Sequence, residues 1–203
     1  MIVEHLLVFY GLVGLFVVAH VPGGPIPALV LGGAVAVTYL VRTREFDNRD
    51  LWRPQALRPA LPAMVARWAV FSVLATAGVA ILDRGHLFDM PREQTLLWLL
   101  IVVLYPLASV YPQEVLYRAF LLHRYRRLLR TERAAAGASA IAFGFAHLLF
   151  GNVLAVVLTV GGGWLFARRY QRSRSLLTVS VEHALYGITI FTVGLGRFFY
   201  HGA

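Results

Sequence analysis

The chain has 203 residues, of which 59% are hydrophobic and 14% are charged, a composition that excludes a soluble domain and is typical of a membrane protein. It contains no cysteine, which excludes disulfides, thiolate nucleophiles and cysteine-ligated metals. The formal net charge is +9, and every basic side chain is arginine. Because these arginines cluster between apolar runs, we expect the lipid bilayer as a partner and no nucleic acid.

Apolar runs along the chain predict an all-α fold, a polytopic membrane helix bundle of about seven spans. At about 20 residues per span, the chain has room for these helices and short loops only, so we expect one membrane-embedded domain over residues 1–203. The residues Pro22 to Pro25 predict a tight turn after the first run. The predicted spans cover residues 5–21, 26–41, 63–82, 95–112, 134–150, 152–167 and 175–196.

The stretch 95–130 is too long for one simple span. A continuous helix there would be about 54 Å long, whereas the hydrocarbon core of a bilayer is about 30 Å thick. We therefore expect Pro106 and Pro112 to kink or interrupt it. Residues 113–130 should then run as an amphipathic helix into the cytoplasm.

The distribution of arginine predicts the orientation in the membrane. The segments 42–58, 124–133 and 168–174 are rich in arginine and should be cytoplasmic, whereas residues 83–94 and 151–152 should face outward. The N-terminus is therefore predicted inside and the C-terminus outside. The absence of lysine suggests a bacterial coding bias, so we expect a multi-pass protein of the bacterial inner (plasma) membrane.

Ionisable side chains inside the spans are candidates for function, since each costs roughly 2.5–3.5 kcal/mol to insert at the centre of a span. Glu114 and Arg118 are four residues apart and share a helix face, where they can form an ion pair of structural or catalytic use. Four histidines at the ends of runs or in loops, His20, His86, His123 and His201, are assigned no role.

His147 and His183 lie in two further apolar runs. A buried histidine bound to a backbone carbonyl is the structural explanation for either one alone. One carboxylate and two imidazoles on three separate spans, however, favour a site for proton transfer or water activation.

The polar residues fall in three motifs. The segment from Gln113 to Arg118 matches Glu-Glu-x-x-x-Arg except at its first position, Phe143 to His147 matches Phe-x-x-x-His, and His183 to Gly187 matches His-x-x-x-Asn except at its last. In order and spacing these motifs resemble the CPBP family of intramembrane proteases, the CAAX-processing and bacteriocin-processing proteins also called the Abi family. The resemblance covers about residues 95–195. It implies a protease-like core at 95–200 and accessory spans at 1–94.

The two departures bear on the expected mechanism. The resemblance implies water activation by the first glutamate and the histidine of the second motif, but Gln113 is neutral and cannot act as a base. Gly187 has no side-chain donor, so His183 would need another partner: a backbone N–H, Tyr186, Tyr117 or Asn152. Glu182 can compensate for the carboxylate that is missing at position 113, either by pairing with Arg118 or by replacing that carboxylate. We therefore interpret the glutamine at 113 and the glutamate at 182 as linked departures from the motifs.

The predicted function is an intramembrane endopeptidase that hydrolyses a peptide bond of a membrane protein or peptide. Glu114 and His147 would activate water and His183 would assist at the oxyanion, with Arg118, Glu182 and Gln113 in support. A metal-free reaction is preferred; a zinc ion on Glu114, His147 and His183 is the alternative. The competing hypotheses are a catalytically lapsed scaffold or binding protein of the same fold and a proton-coupled transporter.

The predicted orientation can be tested by cysteine labelling, since the chain has no native cysteine to remove. A cysteine introduced by Arg172→Cys should resist a membrane-impermeant maleimide in intact cells and react after permeabilisation. A cysteine introduced at Arg84 serves as the outward-facing control. Labelling of the Arg172→Cys variant in intact cells would overturn the orientation.

Overall fold

A computed structural model describes residues 1–19 and 24–199. Within these residues the chain forms eight helices and no strand, which confirms the all-α bundle. The helices are α1 (Ile2–Ala19), α2 (Ile26–Arg42), α3 (Leu57–Leu82), α4 (Asp89–Glu93), α5 (Thr95–Arg124), α6 (Glu132–Ala146), α7 (Val153–Ser173) and α8 (Leu176–Val193). Five of them, α1, α3, α5, α6 together with the turn up to Phe150, and α8, are long and apolar enough to cross a membrane, and α2 is a shorter apolar helix.

All the long helices coincide with predicted apolar runs, and only the short α4 was not expected. Of the predicted turn at Pro22 to Pro25, Pro22 and Gly23 lie outside the described residues, as do His20 and His201. Pro25 immediately precedes α2, where its missing N–H costs nothing because the first N–H groups of a helix have no partner.

The three arginine-rich segments lie together at one end of the bundle. Ion pairs join each to the next: Arg126 to Glu45 at 2.5 Å, Arg174 to Asp50 at 2.5 Å and Arg168 to Glu132 at 2.9 Å. The N-terminal end of α1 belongs to the same side, because both carboxylate oxygens of Glu4 accept hydrogen bonds from Arg124 at 2.9 Å.

The opposite end collects the segments that were predicted to face outward. Arg197, after α8, pairs with Asp83, after α3, and the Asn152 side-chain amide donates to the Phe198 carbonyl at 2.8 Å. The alternation of the connections therefore agrees with the arginine count. Which end faces the cytoplasm stays a prediction.

Helix α5 differs from the expectation, because it runs unbroken through both prolines. Pro106 begins a π-helical turn, Pro106–Val110, and a second π-helical turn covers Val115–Phe120. In a π turn the hydrogen bonds span five residues, which lets the helix continue past a residue without an N–H. The helix ends at Arg124, a turn covers residues 125–128, and residues 129–130 are not helical either, so the predicted amphipathic extension to residue 130 is wrong.

The helices that follow α5 begin at side-chain caps. Thr131, Asn152 and Ser175 each accept a hydrogen bond from a backbone N–H three residues later, at 3.1, 2.8 and 3.2 Å. Such caps satisfy N–H groups that otherwise lack partners at a helix start. Helix α8 is the central element of the bundle, because 61% of its 18 residues are buried. In the most apolar 18 residues of α3, by contrast, only 6% are buried.

Small residues let α6 and α7 approach closely. A Cβ atom added to Gly163 would lie 2.9 Å from the Cα atom of Ala140 on α6, and one added to Gly144 would lie 2.2 Å from a Val160 methyl group. Side-chain methyls can turn aside but backbone cannot, so Gly163 sets the distance between these helices.

We expect Gly163→Ala to lower the free energy of unfolding by about 1–3 kcal/mol, because the added methyl meets backbone. Gly161→Ala is the matched control, since nothing lies within 4 Å of its added Cβ atom. Unfolding of the purified variants in mixed micelles, followed by circular dichroism, measures the difference. Equal stability of the two variants would contradict the close approach.

Candidate active site

A large apolar cavity opens among α1, α2 and α5 to α8. Its volume is about 1660 Å³, which exceeds the usual range of small-molecule pockets, roughly 300–1,000 Å³. Most of its lining is aliphatic or aromatic. Among the side chains that bring polar groups to its wall are Tyr105, Gln113, His147 and His183.

Glu114 and His183 are in direct contact although 69 residues separate them. The imidazole Nδ1 lies 2.7 Å from Oε1 of Glu114, joining α5 to α8. The ring of His183 also stacks on Phe166, with centroids 4.5 Å apart and planes inclined by 19°. A carboxylate accepts hydrogen bonds only, so the Nδ1 atom carries the proton and Nε2 is the edge available to the cavity.

Arg118 holds the other oxygen of Glu114. Its Nε lies 3.0 Å from Oε2, and both side chains are completely buried. The guanidinium lies over the rings of Phe143 on α6 and Phe166 on α7, at 4.4 and 5.5 Å from their centroids. The predicted ion pair is therefore present, and cation–π contacts surround it.

His147 reaches the same cavity from the turn that follows α6. Its Nδ1 donates to the Phe143 carbonyl at 2.7 Å, the contact expected of a structural histidine. That contact fixes the tautomer and leaves Nε2 as an acceptor. The Phe143 ring packs against both His147 and His183, with centroids 4.6 and 5.6 Å away.

Gln113 faces the cavity one turn after Ser109. Its Nε2 donates to the Ser109 hydroxyl at 2.7 Å, whereas its buried Oε1 has no hydrogen-bond partner among the described residues. A buried acceptor without a partner is costly, so this oxygen is suited to hold a water molecule or an N–H of a bound peptide.

Tyr105 is the site residue that sequence reasoning missed. Its hydroxyl lies 3.3 Å from Nε2 of His183, and none of the partners proposed for that histidine in the sequence analysis makes this contact. A signal was present: Tyr105, Ser109 and Gln113 recur every four residues in an apolar run, as residues on one helix face do.

Glu182 does not pair with Arg118, which corrects one proposal of the sequence analysis. It is completely buried and binds Arg67 on α3 at 2.9 Å and Arg169 on α7 at 2.5 Å. It is adjacent to His183 in the chain but points away from the cavity. The proposed link between Gln113 and Glu182 is therefore unsupported, and Glu182 joins three helices instead.

The remaining described histidines have contacts outside the cavity. His86 bonds Asp83 at 2.7 Å, and His123 contacts Arg126 at the arginine-rich end. No three His, Asp or Glu side chains in the described residues converge as metal ligands would. The geometry therefore gives the zinc alternative no support, and metal analysis of the purified protein remains its test.

Because Glu182 balances two arginines in a buried position, Glu182→Gln should destabilise the fold by about 3–5 kcal/mol. Glu132→Gln is the control, since this carboxylate pairs with Arg168 at the surface and its loss should change stability little. Unfolding in mixed micelles measures both. A Glu182→Gln variant as stable as wild type would contradict the structural role.

Comparison with known families agrees with this geometry. Residues 92–189 match the family model described as Type II CAAX prenyl endopeptidase Rce1-like. Neither the curated proteins nor the solved structures give a significant match. The matched region begins just before α5 and ends within α8, so it contains all three motifs and the cavity residues Tyr105, Gln113, His147 and His183. Residues 92–189, just under half of the chain, are thus similar to the CPBP (Abi) family of CAAX-type membrane proteases.

Proposed function

We propose that this protein is an endopeptidase of the bacterial inner membrane that hydrolyses a peptide bond of a membrane-associated protein or peptide. One observation carries the proposal: two histidines, one in the turn after α6 and one on α8, border one apolar cavity, and each is fixed through its Nδ1 atom. Imidazole can accept a proton and return it, which suits it to general acid–base chemistry.

The proposed division of roles differs from the sequence expectation at Glu114. Both of its oxygens are engaged, by His183 and Arg118, and the side chain is completely buried. It therefore acts through His183, which it orients. This leaves His147 as the base: it borders the cavity, and its Nδ1 atom is engaged by the Phe143 carbonyl, so that Nε2 is the atom left to act.

In the proposed reaction a water molecule is held between His147 Nε2 and Gln113 Oε1. The imidazole takes a proton from the water as the hydroxide adds to the peptide carbonyl. His183 lies on the side where the carbonyl oxygen gains negative charge. When the C–N bond breaks, the imidazolium of His147 returns the proton to the leaving amine, so the products are a carboxylic acid and an amine.

The dimensions and lining of the cavity support a membrane substrate. Its volume of about 1660 Å³ accommodates an extended peptide together with apolar side chains or a lipid-like group. The apolar walls favour segments that already reside in the bilayer. Glu4 and Arg124 pair with each other at its arginine-rich end and give that end a polar boundary.

The same observations favour a second candidate, a lapsed protease that binds peptides. Gln113 is neutral and Glu114 is turned away from the cavity, so neither motif position offers a carboxylate base there. Such a protein would keep the cavity as a binding site for membrane peptides without cleaving them.

His147→Gln decides between the two candidates. If His147 is the base, its loss should lower cleavage about 10²–10⁴-fold. The assay incubates purified protein in detergent with peptides from total membranes and identifies new termini by mass spectrometry. His86→Gln, in the outer connection, is the control and should cleave like wild type.

Gln113→Glu completes this test. Cleavage by the Gln113→Glu variant together with none by wild type would identify the natural protein as the binding form. Cleavage by wild type that persists unchanged in His147→Gln would contradict the proposed mechanism.

A further inference from the structure

The space above Gly187 on α8 is filled by the side chain of Tyr105 on α5. A Cβ atom added to Gly187 would lie 2.4 Å from both the Oη and the Cε1 atoms of Tyr105. Any other residue at 187 would thus displace the tyrosine. The missing side chain at 187 and the position of Tyr105 are two parts of one arrangement.

The Tyr105 ring is held in a defined orientation. It packs edge-on against Phe191, with centroids 5.6 Å apart and planes inclined by 72°, and edge-on against His183, with centroids 6.2 Å apart. Its hydroxyl is 3.3 Å from His183 Nε2, and both side chains border the cavity. The hydroxyl therefore lies where His183 meets a bound ligand.

The hydrogen-bonding state of His183 determines what it can supply there. Its Nδ1 proton is donated to Glu114 at 2.7 Å, so a neutral ring has no proton on Nε2. Such a ring can accept a hydrogen bond at the cavity but cannot donate one to a carbonyl oxygen. The phenolic hydroxyl of Tyr105 is a donor within reach of the same position.

We propose that the Tyr105 hydroxyl donates the hydrogen bond that stabilises the carbonyl oxygen of the bound peptide, and that Gly187 provides the space for it. The inference rests on the proposed function. In the resting site the hydroxyl donates to His183 Nε2; in the complex it donates to the carbonyl oxygen while water adds to the carbon. The hydroxyl keeps its proton throughout, so His183 is a positioning residue and Tyr105 the group that touches the substrate.

The decisive variant is Tyr105→Phe, which removes the hydroxyl and keeps the ring that packs on Phe191. Loss of one such donor should lower kcat about 10²–10³-fold, with little change in KM, because the hydrogen bond strengthens as charge develops. The substrate is a peptide identified in the membrane-peptide assay. Tyr111→Phe is the control on the same helix: its hydroxyl donates to the Leu51 carbonyl, outside the cavity, and kcat should be unchanged.

Two further variants test the role of Gly187. Gly187→Ala should lower kcat as Tyr105→Phe does, because its methyl group displaces the tyrosine. Adding Gly187→Asn to Tyr105→Ala places an amide donor in the vacated space, and should raise kcat at least about tenfold above Tyr105→Ala alone. If the Tyr105→Phe variant does not fold, the kcat of Gly187→Ala tests the role of Tyr105 in its place.

A spectroscopic measurement separates contact from general loss of structure. With ¹⁵N-labelled histidine in micelles, Tyr105→Phe should shift the His183 Nε2 resonance, whereas Tyr111→Phe should leave it in place. An unshifted resonance would show that the hydroxyl does not bind His183, and would overturn the inference.

The kinetic outcomes distinguish this inference from the proposed function. If wild type cleaves and His147→Gln does not, but Tyr105→Phe retains the wild-type kcat, the role of Tyr105 is wrong and the protease stands. If wild type shows no cleavage dependent on His147, the proposed function fails and the role of Tyr105 fails with it.

Discussion

The buried ion pair between Glu114 and Arg118 is the constraint on which the rest of the structure depends. Both side chains are completely enclosed in an apolar bundle, where an unpaired charge would be very costly. One oxygen of Glu114 therefore binds Arg118 and the other binds His183 from α8. The guanidinium lies against the rings of Phe143 on α6 and Phe166 on α7. The contacts of this one ion pair on α5 therefore connect four helices, α5 to α8.

This arrangement separates the charges that hold the bundle from the groups that face the cavity. Glu114, the carboxylate predicted to act in catalysis, and Glu182, predicted to support it, are both turned away from the cavity and are neutralised by arginine. Away from the Glu4–Arg124 pair at its arginine-rich end, the polar groups that line the cavity are imidazole, amide, hydroxyl and phenol groups. An apolar cavity tolerates such groups at a much lower desolvation cost than it would a free carboxylate.

The helices, their alternation and the pairing of Glu114 with Arg118 could be predicted because they depend on patterns local to the chain. Apolar length gives the helices, arginine clusters give the two ends, and a spacing of four brings Arg118 to Glu114. Other features depend on distant residues. One of the two arginine partners of Glu182 is Arg67, 115 residues away, and the space for Tyr105 exists only because Gly187 faces it from another helix. The continuity of α5 through Pro106 depends on a π turn that no local sequence pattern predicts.

The two π turns of α5 have a consequence for comparing this chain with its relatives. Each residue of an α-helix advances the direction of a side chain by about 100°, and a π turn accommodates one residue more than a regular turn does. Tyr105 precedes the first π turn and Glu114 follows it, so their relative direction depends on that extra residue. A related chain with a regular turn there would keep the same side-chain directions only if it were one residue shorter. An alignment with such a relative should therefore allow a gap of one residue within residues 106–110, although the helix is unbroken there. The counterpart of Tyr105 is then expected one position away from the residue that an alignment without the gap would pair with it.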